Sequence, residues 1–116
     1  MKNDNTVWDY DVVMQRFGSQ EAIVKRLATI YLRDIVEQIS LLDKALAQQN
    51  IDEIVLHAHS ISGMSANMSV VTLHQLAKEI ETTAHMSNLD TLNAHFKRLK
   101  SEYEKVNKIL SEFALS

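Results

Sequence analysis

The chain has 116 residues, 46% of them hydrophobic and 23% charged, which is the balance of an ordinary globular domain and not of a disordered segment. It has no cysteine, no proline and only two glycines. That excludes disulfides, thiolate metal sites and cysteine nucleophiles, and leaves few of the residues that hairpins and phosphate-cradling loops require.

Twelve Lys and Arg against fifteen Asp and Glu give a formal net charge of -3, with no basic stripe, so nucleic acid is not an expected partner. The polar, acidic Met1–Asp11 segment does not read as a signal peptide, and no apolar run of about 18 residues is available to cross a bilayer. The expectation is one cytoplasmic, all-α domain over residues 1–116, with no membrane partner.

In chain order, residues 1–7 are expected to form a frayed tail. Asp9 is placed to cap a short helix running to about Phe17, and Gly18 to end it, because glycine adopts positive φ at least cost. Ser19 opens a segment in which Val24, Leu27, Tyr31, Ile35, Leu42 and Leu46 recur at three, four and seven, the spacing of one helical face. No breaker interrupts it before about Gln49, so it reads as a single helix of roughly 28–30 residues, a length suited to an antiparallel bundle.

Asn50 with Glu53 forms a capping pair for a third helix, whose stripe is Ile54, Val55, Ala58, Ile61, Ser65 and Met68. Ser69 to Thr72 reads as a turn, and Thr72 with Gln75 has capping-box spacing for a fourth helix that buries Leu73, Leu76, Ala77, Ile80 and Ala84. Ser87–Asp90 breaks it. The last helix carries Leu92, Phe96, Leu99, Tyr103, Val106, Leu110 and Phe113. Short connections make successive helices antiparallel. The sequence therefore predicts an up-and-down four-helix bundle with a short N-terminal helix laid across one end, and a monomer.

The unusual stretch is Ala58 to Met68. At 3.6 residues per turn, Ala58, Ile61 and Ser65 point to the core, while His59, Ser62, Gly63 and Ala66 gather on an adjoining face. Gly63 has no folding reason to be there, since a mid-helix glycine costs about 0.5–1 kcal/mol relative to alanine. What it gives is room for another protein's surface to come down over His59. Imidazole suits such a role, because an unperturbed pKa of about 6.5 leaves a neutral, nucleophilic nitrogen at neutral pH. On the next helix His74, Lys78, Glu81 and His85 are spaced to face outward. From there Glu81 can accept the proton of the far imidazole nitrogen, and Lys78 can offset the charge of a phosphoryl group.

Ala58-His59-Ser60-Ile61-Ser62-Gly63 resembles the motif of the histidine-containing phosphotransfer (HPt) family: alanine, histidine, any residue, an aliphatic, usually lysine, then glycine. Leu73, Leu76, Ala77 and Glu81 are similar to its leucine-rich continuation, and the likeness covers about residues 15–113. The resemblance implies that His59 is the phosphorylated residue, Gly63 the small residue that admits the partner and Glu81 the residue that holds the other ring nitrogen. Lys78 would stand near the phosphohistidine. The partners it implies are the receiver domain of a hybrid sensor histidine kinase and that of a response regulator, docking near Gly63 and Ala66. The receiver would bring the Mg²⁺, so this chain needs no cofactor.

Two positions depart from the family pattern. Ser62 stands where a lysine usually helps to hold the phosphoryl oxygens, and Ser69 where a glycine usually forms the turn. Lys78, or the Ser62 hydroxyl, is available to compensate for the first. Two further readings keep the bundle: a phosphorylation-inactive relative that regulates by binding a receiver, and a plain helical interaction module. A metal centre is disfavoured, because His57 and His59 point in opposed directions and His74 and His85 lie three turns apart.

Overall fold

The structure is a computed structural model and describes residues 7–116. Five helices follow one another: α1 (Tyr10–Arg16), α2 (Glu21–Ala47), α3 (Ile51–Asn67), α4 (Val71–Thr83) and α5 (Leu89–Leu115). Helices α2 to α5 form the bundle, with α3 seated between α2 and α4, and α5 closing against both α4 and α2. The 42 Å long axis is the length of a 27-residue helix, about 40 Å at 1.5 Å per residue. Among the described residues there is no strand, only an isolated antiparallel bridge between Trp8 and Val70.

Helices α1, α3 and α5 begin where a side chain satisfies one of the unpaired first-turn N–H groups. Asp9 accepts from Val12 N, Asn50 from Glu53 N and Asn88 from Thr91 N. Gly18 adopts φ +67° just past α1, as its position after Phe17 implied. Helix α2 is shorter at both ends than the uninterrupted pattern suggests, because Ser19 and Gln49 both turn to positive φ. The expected stripes are the observed core. Val24, Ile35, Leu42, Ile54, Ala58, Ile61, Leu73, Ala77, Ile80, Leu99, Val106 and Leu110 are fully buried, while Leu27, Val55, Leu76, Tyr103 and Phe113 pack partly buried around them.

The start of α4 differs from expectation. Its cap is Val70, not Thr72, and the Thr72 hydroxyl instead donates to the Glu102 carboxylate of α5. The N-terminal segment supplies what a capping side chain would have. Val71 N donates to Val7 O, Asp9 N to Ser69 O, and the Trp8 indole N–H to Met68 O at 2.8 Å. Arg16 donates to the carbonyls of Ala66 and Asn67 at the end of α3. This strap fastens the α3–α4 turn and explains how Ser69 is held at φ +56°, a conformation that glycine adopts without strain. Of the frayed tail expected over residues 1–7, residues 1–6 lie outside the described residues; Val7 is buried.

Candidate functional site

His59 sits in the middle of α3, whose inner face of Ile54, Ala58, Ile61 and Ser65 is buried and fixes the outward direction of the residues between. Its side chain is 69% exposed, and its Nδ1 lies 2.8 Å from Glu81 Oε2 on α4. A carboxylate oxygen only accepts, so Nδ1 carries the hydrogen and Nε2 keeps its lone pair. Glu81 is only 16% exposed, which holds the carboxylate in one place beneath the ring. Its other oxygen, Oε1, is 3.6 Å from Lys78 Nζ: near enough to interact, too long for a hydrogen bond. Lys78 is thus beside the imidazole and not locked to it.

Four other histidines test what is special about His59. His57 has both ring nitrogens engaged, Nδ1 with the Gln38 amide and Nε2 with the Glu53 carboxylate, each at 3.0 Å. His95 pairs through Nε2 with Glu79, and its Nδ1 is buried. His74 is half-buried and bonded to Ser62. His85 is exposed past the end of α4, with no hydrogen-bond partner among the described residues. His59 alone joins exposure to a fixed tautomer with a free nitrogen.

Gly63 lies one turn beyond His59, and a Cβ built on it would meet nothing within 4 Å. The glycine is therefore not required by packing inside this chain. Ala66, a turn further, is also exposed, so the surface along α3 next to His59 is low. Ser62 does not share that surface. It is 5% exposed and turned toward α4, where its Oγ lies 3.0 Å from His74 Nδ1. The serine expected on the open face beside the imidazole is thus buried, and His74, expected to face outward, is the side chain bonded to it.

The sequence did not point to a cleft of about 410 Å³ on the α2 side of α3, lined by Arg16, Phe17, Leu27, Ile30, Met64 and Asn67. Ile30, which lines it, is an exposed apolar residue outside the buried stripes, and that misplacement was the available signal. Among the described residues no three His, Asp or Glu side chains converge as metal ligands, and no helix is long and apolar enough to cross a membrane.

Fold and site together define a class of small helical bundles that hold one exposed, oriented histidine on an outer face. The chain belongs to the Hpt domain family, whose model matches residues 26–108. Domains of this family carry phosphoryl groups and are not turnover enzymes. The chain is 24% identical over 106 residues to the phosphorelay intermediate protein rdeA of Dictyostelium discoideum, covering 91% of this chain. It spans 42% of that protein's length.

Two solved structures share the fold. Histidine-containing phosphotransfer protein B from Pseudomonas aeruginosa superposes with a TM-score of 0.86 at 24% identity, covering 94% of this chain and 95% of the other. The HPT domain of a Shewanella sensor hybrid histidine kinase gives a TM-score of 0.80 at 19% identity, covering 94% of each.

Proposed function

We propose that this chain relays a phosphoryl group between receiver-domain aspartates, accepting it on His59 Nε2 from a hybrid sensor kinase and passing it to a response regulator. The observation that carries the reading is the His59–Glu81 pair, which leaves one nucleophilic nitrogen exposed and aimed outward.

In the transfer, the Nε2 lone pair forms the N–P bond as the P–O bond to the aspartyl carboxylate breaks. No proton has to leave the ring. Nδ1 keeps its hydrogen, and the positive charge that develops on the imidazole lies against the Glu81 carboxylate. Lys78 swings from Glu81 to the phosphoryl oxygens and supplies the cation that Ser62 does not. Gly63 and Ala66 form the low ground on which the receiver lands, and the apolar cleft between α2 and α3 receives its hydrophobic side chains. The Mg²⁺ belongs to the receiver, and the chain acts as a cytoplasmic monomer.

The test is to incubate the purified chain with a receiver domain whose aspartyl phosphoryl group carries the label, charged by a sensor kinase from labelled ATP, beside His59→Ala. Label that survives base, is lost in acid and is absent from the variant is the expected result. A panel of receivers that bind without transferring label to the wild type would overturn it. That outcome defines the second reading, a receiver-binding regulator that is not phosphorylated, which is favoured by the burial of Ser62 and the lack of a lysine on α3 at that point.

A further inference from the structure

We infer that His74 is a positioning residue for His59, acting through Ser62 to set α4 against α3. The inference rests on His59 as the acceptor, but its readout is in the unphosphorylated protein, so it can fail independently of that role.

His74 Nδ1 lies 3.0 Å from the carbonyl oxygen of Ser62 and 3.0 Å from its hydroxyl. A carbonyl only accepts, so Nδ1 carries the hydrogen and donates.

This latch lies on the same seam as the catalytic pair. His59 and Ser62 are one turn apart on α3; Glu81 and His74 are two turns apart on one face of α4. Two polar bridges, His59–Glu81 and Ser62–His74, therefore join the same two helices, and the second sets the sliding register on which the 2.8 Å distance of the first depends. Nothing else polar crosses this seam among the described residues.

The latch also gives Ser62 a reason to be serine. Its compact side chain is 5% exposed beneath the His74 ring, and a lysine stem at this place would have to displace that ring to reach solvent. Ser62 and His74 are a matched pair, and the departure from the family motif on α3 is answered on α4.

Nitrogen-15 NMR of the imidazole rings, with phosphoryl acceptance as a second readout, tests this. An asparagine amide nitrogen occupies the place of His Nδ1, and a glutamine amide nitrogen that of Nε2. His74→Asn should keep His59 in its Nδ1–H tautomer and keep the acceptance rate within about twofold. His74→Gln and His74→Ala should both mix the His59 tautomers and slow acceptance about fivefold or more. Ser62→Lys alone should behave like His74→Ala, and combining the two should add little to the loss that either causes alone.

If His74→Ala is too unstable to compare, the Asn and Gln variants carry the test. Asn and Gln behaving alike, or His59 tautomers unchanged in every variant, would overturn the inference. Loss of acceptance in the wild type with the tautomer pattern intact would instead overturn the relay reading and leave the latch standing.

Discussion

Helix α3 has two polar seams, and they are built in opposite ways. Toward α2, Tyr31 and Ser65 share a buried hydrogen bond of 2.8 Å, and His57, 13% exposed, is held at both nitrogens by Gln38 and Glu53. Toward α4, His59 is 69% exposed and held at one nitrogen only. The two histidines are separated by a single residue and have the same intrinsic chemistry. The difference teaches that the surroundings, not the residue type, decide how much of a histidine's hydrogen-bonding capacity is left unsatisfied. A ring with every hydrogen bond made contributes to cohesion; a ring oriented by one bond is available to a partner.

The largest expected effect separates access from folding on the open seam. Gly63→Leu should reduce transfer from a receiver by tenfold or more, while raising stability by up to about 1 kcal/mol, because the helix gains a better former and the added side chain meets nothing inside the chain. Parallel measurement of transfer and thermal midpoint checks it; a destabilised variant would mean that the glycine serves packing after all.

A smaller effect contrasts the two carboxylates. Glu81→Gln keeps an acceptor for the His59 Nδ1–H but removes the negative charge, so single-turnover transfer should slow by about three- to tenfold. Glu53→Gln, on the closed seam, should leave transfer unchanged and cost less than about 1 kcal/mol. Equal effects of the two substitutions would erase the distinction drawn between the seams.

The smallest concerns pH on the closed seam. Burial pushes the Tyr31 hydroxyl well above its ordinary value of 10.0, with the Ser65 hydrogen bond opposing the shift only in part. Below about pH 10 the phenol is protonated in both folded and unfolded chains, so its contribution is intact. Above that, the unfolded chain releases the proton while the folded one retains it, and stability falls as pH rises. Tyr31→Phe should lower stability by about 1 kcal/mol near pH 8 and flatten the alkaline decline. Urea midpoints of both proteins at about pH 8 and about pH 11 decide it.

Much of this was legible in the sequence, since the relevant interactions are local. The stripes of α2 to α5 follow from helical periodicity, and the caps at Asp9 and Asn50 from side chains three residues before the N–H they accept. The pairing of Glu81 with His59 was readable because both faces had been placed. The burial of Ser62, by contrast, is not written in its own helix. A helical wheel gives its angle but not how closely α4 approaches, and the approaching ring of His74 buries it. Thr72 failed for the same reason. Capping-box spacing predicts a cap only where nothing else satisfies the N–H groups, and Val7 already serves Val71. The cleft between α2 and α3 depends on where α1 lies, which no periodicity encodes.

The strap across the α3–α4 turn has a practical consequence. Trp8 is the only tryptophan in the chain, and it lies in the strap, 3% exposed, edge-on to Tyr10 and Phe113 with its indole N–H on Met68. The unlabelled protein therefore carries its own optical probe. Emission from this indole reports whether the strap is seated, while circular dichroism reports the helices, and a red shift that precedes loss of ellipticity would reveal the turn coming loose before the bundle melts.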